Sequence, residues 1–180
     1  MRHPTRIVFI GQLAKRGLWR MIQVMEVKDV VKPAVIITET TTLAEALAAM
    51  DSGHSNTLLV TDEAGKLIGE VTVADLLDAM VPDTLNGDEV ISHFADDAAF
   101  AASVDMARDL PVSEFMSADF SSLRLEDDLL SIIATAIPHQ RARIPVVDAD
   151  GRVTAVFTQG DFVSYTWPDL IYQAKELTKA

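Results

Sequence analysis

Several landmarks in this sequence recur at one constant offset. Thr72 and Thr158 lie 86 positions apart (158 − 72), and so do Val60 and Val146, Asp62 and Asp148, and Gly65 and Gly151. The offset runs without a gap from Leu43/Leu129 to Leu77/Val163. Identity between the copies is low; what repeats is the pattern of apolar, turn and Thr/Asp positions. A fixed internal period means that one structural unit occurs twice, so any fold assigned to one copy must serve the other.

The first copy reads as strand–helix–strand–strand–helix. Val35-Ile36-Ile37 is a short β-branched run, hence strand-like. Thr42 stands as an N-cap with Glu45 three residues on, a capping box. Leu43, Ala46, Leu47 and Met50 follow at helical spacing, and Ser52-Gly53 ends that helix. Thr57 to Thr61 is a second strand, Asp62 to Lys66 a tight turn with a glycine for a positive φ, and Leu67 to Val71 a third strand. Thr72 then opens a helix carrying Asp75, Leu76, Leu77 and Met80.

In the second copy Leu129, Ile132, Ile133 and Ala136 give the helix and Pro138 stops it. Arg143 to Asp148 is the middle strand, Asp148 to Arg152 the same turn, and Val153 to Phe157 the third strand. The chain therefore divides into a basic leader (1–25), a first repeat (26–80), an insert (81–110), a second repeat (111–167) and a short helical tail (168–180). The insert is acidic. Its stretch Glu89 to Arg108 reads as one helix with Val90, Phe94, Ala98, Ala101 or Ala102, and Met106 on one face. That is the pattern of a solvated helix; Asp96-Asp97 near His93 shows no ligand spacing definite enough for a cation site.

Charge excludes one class of partner. The net charge of −12 repels phosphate backbones at long range, which speaks against a nucleic-acid binder. It leaves room for a small phosphorylated ligand held in a locally basic pocket. The leader carries five Lys/Arg and no acid, with the apolar stretches Ile7 to Ile10 and Leu18-Trp19. It reads as a leader rather than a membrane anchor. No stretch approaches the roughly 18–20 apolar residues of a membrane span. With no Cys there is no disulfide framework or thiolate chemistry, in keeping with a cytoplasmic setting.

A strand that ends in Thr and opens a helix at x-x-Asp has two uses. The Thr hydroxyl can donate to a phosphate, and the acceptor-only carboxylate can take both hydroxyls of a ribose. Equally, Thr and Asp can cap their own helix. One such motif says little; two at matching places in a repeat, each after a glycine-turn hairpin, say more. Small residues at the strand ends, Gly69 and Ala155, leave room for close approach. No catalytic constellation accompanies them. His3, His54, His93 and His139 are scattered, and there is no nucleophile elbow, His-x-x-x-His pair or phosphate-cradling glycine loop.

On these residues the chain resembles tandem CBS-domain proteins, pairs of cystathionine-β-synthase-type repeats that form a Bateman module. The resemblance rests on Val35-Ile36-Ile37 with Thr41 to Ala46, Leu59 to Asp62 and Gly69 to Leu76 in the first copy, and on Arg143 to Asp148 and Phe157 to Phe162 in the second. It implies an α+β fold of two β-α-β-β-α repeats related by a pseudo-twofold axis, with a helical insert between them, and a homodimer. It also implies a non-enzymatic role: a stand-alone regulatory module that binds an adenosine-containing ligand (AMP, ADP, ATP or S-adenosylmethionine) in clefts between the repeats and signals to a separate effector protein.

Carried over residue by residue, one cleft takes Thr72, Asp75 and Ser122, and the other Thr158, Asp161 and Arg143 with the Ile36 position. Ile36 departs from the usual Thr or Ser and Ala155 from the common Gly, so the first cleft has the fuller motif. No cofactor or metal is implied. The alternative from another class is a ligand-free interaction module that acts through dimerisation and its acidic insert.

Overall fold

The structure, a computed structural model, describes residues 26–82, 85, 87–128, 131–132, 134–136 and 143–160. These residues form two compact units, each with its own core. The first-copy unit holds Pro33–Phe120 and Ala149–Thr154. The second-copy unit holds the described residues of 26–32, 121–148 and 155–160.

In the first-copy unit, β2 (Ile36–Thr38) runs parallel to β3 (Thr57–Thr61), and β3 antiparallel to β4 (Leu67–Thr72), in the order β2-β3-β4. The crossover from β2 to β3 is α1 (Leu43–Ser52). The expected capping box starts it: the Thr42 hydroxyl accepts from Glu45 N–H at 3.3 Å, and Glu45 Oε2 accepts from Thr42 N–H at 2.9 Å and its hydroxyl at 3.0 Å. Those two bonds, the backbone one first, hold the Glu45 carboxyl below the usual carboxylate range. Leu43, Ala46 and Met50 face inward onto Leu58 and Val60 of β3 and Val71 of β4. Leu47, expected on that face, is 53% exposed.

The hairpin turn is built by Asp62, whose Oδ1 accepts from Ala64 and Lys66 N–H, each at 2.9 Å. Gly65 supplies φ +78°, and its repeat counterpart Gly151 supplies φ +82°, a region that costs L side chains about 1–2 kcal/mol. The second-copy tip seats on this turn: Leu67 N–H donates to Gly151 O at 3.0 Å, and Arg152 Nε to Ala64 O at 3.2 Å. After β4 the chain enters α2 (Val73–Ala79), which buries Leu76.

The insert departs from the single helix expected. It forms α3 (Asp88–Ala95) and α4 (Asp97–Ala107), broken at Asp96. Asp96 is extended, and its Oδ1 caps α4 by accepting from Ala98 and Ala99 N–H at 2.9 and 3.1 Å. A short acidic side chain satisfies a helix start better than a helix interior. The break also rephases the buried face. Ser103 and Ala107 are buried, Val104 packs against the core, and Met106 is 83% exposed.

The second-copy unit has the sheet order β1-β6-β5, with β1 (Val31–Lys32), β5 (Arg143–Val147) and β6 (Val153–Thr158). Its core includes Leu123, Ile144, Val146 and Phe157. Leu123 bridges Val146 in parallel, as Ile37 pairs with Val60 one repeat earlier. Residues 131–132 and 134–136 are helical, and Asp128 Oδ1 accepts from Ser131 N–H and hydroxyl at 2.9 Å each. The Thr42/Glu45 cap is thus replaced by an acid cap at the equivalent place. Pro138, the leader and the tail lie outside the described residues.

The segment leading into each copy belongs to the other copy's unit. A 3₁₀ turn at Val112–Glu114 packs on the first copy, with Val112 N–H to Thr41 O at 2.8 Å and Ser113 N–H to Glu39 O at 3.0 Å. A 3₁₀ turn at Val27–Asp29 packs on the second, with Val27 N–H to Asp127 O at 2.9 Å and Lys28 N–H to Leu125 O at 3.2 Å. The acceptors obey the 86-residue offset, while the donors are 85 apart (112 − 27). Val27 and Val112 are both fully buried. The strand pairing repeats as well: Lys32 pairs with Val156, and Ser117 with Glu70. A period can be read from a sequence, but which copy a leading segment packs on cannot.

Candidate functional site

The first Thr-x-x-Asp motif spans the end of β4 and the first turn of α2. Thr72 is extended (φ −108°, ψ 170°) and is the N-cap. Its hydroxyl donates to Asp75 Oδ2 at 2.6 Å, its N–H donates to the same oxygen at 2.7 Å, and Asp75 N–H returns a 3.4 Å bond to Thr72 Oγ1. Both side chains are half-buried. One carboxylate oxygen therefore takes two bonds and sets the carboxyl plane. Oδ1 has no protein donor among the described residues. The structure brings Thr72 and Asp75 together as a cap and leaves one acceptor oxygen over.

The second motif begins in the same way. Thr158 is the last residue of β6, buried, and the helix opens at residues 159–160. Asp161 lies outside the described residues, as does Arg141. Arg143, half-buried, is the first residue of β5. Ser122 is exposed and precedes Leu123, which is held to β5 by Leu123 N–H to Pro145 O and Val147 N–H to Leu123 O, each at 2.9 Å. Ser122, Arg143 and Thr158 therefore fall in one unit, and Thr72 and Asp75 in the other. Ile36, the counterpart of Ser122, presents an apolar side chain that is 47% exposed.

Gly69 is small for a different reason from the one the sequence suggests. A Cβ there would meet Met116 Sδ and Ser117 O, both at 2.9 Å. The close approach is made by the chain's own leading segment, and nothing local in the sequence signals it. A weak signal exists at the 85-residue offset, where Val27-Lys28-Asp29-Val30 parallels Val112-Ser113-Glu114-Phe115.

Among the described residues no group of three or more His, Cys, Asp or Glu is placed to hold a metal ion. Also among them, no helix is long and apolar enough to cross a membrane.

The family model for the CBS domain matches twice, at residues 27–82 and 112–167. The chain belongs to the CBS-domain family. It is a tandem CBS pair of α+β architecture, and its solved relatives are CBS pairs too. The CBS domain of a CBS domain-containing membrane protein from Sphaerobacter thermophilus is 25% identical; the match covers 87% of this chain and 96% of that one, with a TM-score of 0.67. CBSX2, solved in complex with AMP, is 21% identical over 79% of this chain and 96% of its own, with a TM-score of 0.60. Another CBS domain pair, solved with 5′-methylthioadenosine and S-adenosyl-L-methionine, is 19% identical over 78% and 98%, with a TM-score of 0.57. A search of curated proteins finds no match.

Proposed function

We propose that this CBS pair is a regulatory, non-catalytic module that binds an adenosine-containing ligand and passes its occupancy to a separate effector protein. The ligand is AMP, ADP, ATP or S-adenosylmethionine, and the residues that contact it are Thr72, Asp75, Ser122, Arg143, Thr158 and Asp161. The module works in the cytoplasm as a homodimer, with repeats at 26–80 and 111–167.

The observation that carries this reading is the half-occupied carboxylate of Asp75. Oδ2 is fixed by Thr72 N–H and hydroxyl at 2.7 and 2.6 Å, so Oδ1 is held ready for a donor. A ribose hydroxyl is such a donor, and charge-assisted bonds of this kind contribute about 1.5–3 kcal/mol each. A phosphate at Thr72 needs the hydroxyl proton, which must leave Oδ2; the Thr72 N–H bond keeps the carboxylate in place while it does. That relatives of the same fold hold AMP, 5′-methylthioadenosine and S-adenosylmethionine supports the ligand class.

Thermal unfolding with millimolar AMP, ADP, ATP or S-adenosylmethionine tests the reading. At a hundredfold excess over Kd the folded state gains about 2.7 kcal/mol, a shift of about 5–10 °C for a chain of this size. No shift with any of the four overturns it. One observation favours the interaction reading instead: Ile91 and Met106 on the acidic insert are 69% and 83% exposed. A chain that binds none of the four ligands leaves that reading standing.

A further inference from the structure

The segment that leads into each copy pairs with the other copy's third strand, two residues before that strand's Thr. In the first-copy unit, Glu70 N–H donates to Ser117 O at 3.0 Å and Ser117 N–H donates to Glu70 O at 2.9 Å. This closed pair of bonds sits two residues before Thr72. In the second-copy unit, Lys32 pairs with Val156, two residues before Thr158. The approach at Gly69 has no slack, because a single added methyl group would strike Ser117 O and Met116 Sδ at 2.9 Å. Any shift of β4 at its Thr72 end must therefore move residues 116–117.

The same stretch of chain is pinned again a few residues on. Leu123 is held to β5 by its bonds to Pro145 and Val147. Six residues span from Ser117 to Leu123, a length of at most about 20 Å when extended, and both ends are anchored by paired backbone hydrogen bonds.

We infer that residues 111–123 are a relay: the Glu70–Ser117 pair couples the occupancy of Thr72 and Asp75 to Leu123, which is bridged to β5. Residues 26–37, through Lys32–Val156, are its counterpart in the opposite direction. Ser117 is a positioning residue that acts through its backbone and does not touch the ligand. The relay rests on the proposed binding at Thr72 and Asp75. It adds that a ligand is sensed at a distance through two backbone hydrogen bonds, each bonded element having two arrangements that the ligand favours unequally.

Hydrogen exchange of the full chain, with and without millimolar AMP and in a second series S-adenosylmethionine, tests it. In the wild type, slowed exchange at residues 69–75 is expected together with a change of about fivefold or more, the lower end of ordinary coupling, at the Val147 amide, which is bonded to Leu123 O and is not among the proposed ligand contacts. Ser117→Ala keeps the backbone pair and should keep both responses. Ser117→Pro removes the N–H that donates to Glu70 O; it should keep the response at 69–75 and lose the one at Val147.

A response confined to 69–75 in the wild type overturns the relay and leaves ligand binding intact. No response at either place overturns both. A Ser117→Pro protein that still responds at Val147 also overturns the relay. If that variant does not fold, the wild-type and Ser117→Ala series decide.

Discussion

Val112 and Val27 offer a quantitative test of how the two copies are built together. Each is fully buried at the head of a 3₁₀ turn, and each sits in the core of the copy to which it does not belong in sequence. Truncation to Ala removes two methylene equivalents at about 0.8 kcal/mol each. A residual cavity of roughly 40 Å³ adds about 1 kcal/mol at ~24 cal/mol per Å³. Each substitution should therefore cost about 2–3 kcal/mol. Because the two residues lie in separate clusters, the double variant should be additive within about 0.5 kcal/mol.

Urea unfolding followed by far-UV circular dichroism gives the magnitudes, and hydrogen exchange gives the location. Val112→Ala should speed exchange in Thr57–Thr61, and Val27→Ala in Arg143–Val147. A cost below about 0.5 kcal/mol, or faster exchange in the opposite strands, would refute the exchange of leading segments.

Three further outcomes follow from the local geometry. Gly53→Ala should destabilise by about 1–3 kcal/mol, because a Cβ there would meet Val35 Cγ2 at 2.6 Å and Ala49 O at 3.0 Å; thermal unfolding reads this. Since Gly53 is kept by that contact, the left-handed residue after α1 is His54, at φ +46°. His54→Gly relieves about 1–2 kcal/mol of strain against about 0.5–1 kcal/mol of added unfolded-state entropy, so its midpoint should hold or rise. The Glu45 carboxyl is lowered by its bonds to Thr42, so the cap's contribution is complete above the ordinary carboxylate pKa and is lost as pH falls through the lowered folded value. Glu45→Gln should flatten that acid limb of the stability–pH curve, and an unchanged limb would remove Glu45 as its source.

The elements legible in the sequence are those specified by neighbours in the chain. Thr42 with Glu45 and Gly53 bound α1, Asp62 and Gly65 close the hairpin, and the 86-residue period places Gly151 in the same backbone state as Gly65. What was not legible depends on distant partners or on competition within a segment. The apolar spacing of the insert ignored the preference of Asp96 for a cap, so the stripe was phased through Met106 instead of Ser103 and Ala107. Leu47 follows the helical period of α1 yet is left 53% exposed. Gly69 answers to Ser117, 48 residues away (117 − 69). At the site, the Thr72–Asp75 spacing foretold a bonded pair, and that pair forms. Sequence gave two uses for it, and capping is the one the geometry displays; ligand binding stays a proposal carried by Oδ1.

The two capping boxes supply the control that separates those uses. Glu45 and Asp75 accept from their N-cap threonines through the same pattern of bonds, so replacing either with Ala should weaken its helix cap in the same way. Only Asp75 is proposed to touch a ligand. Isothermal titration of the wild type, Glu45→Ala and Asp75→Ala with whichever of AMP, ADP, ATP or S-adenosylmethionine raises the midpoint is therefore the most direct test. Glu45→Ala should bind as the wild type does, and Asp75→Ala should lose about tenfold or more, at about 1.4 kcal/mol per factor of ten. Equal affinities in all three proteins would make Asp75 a helix cap alone and contradict the account.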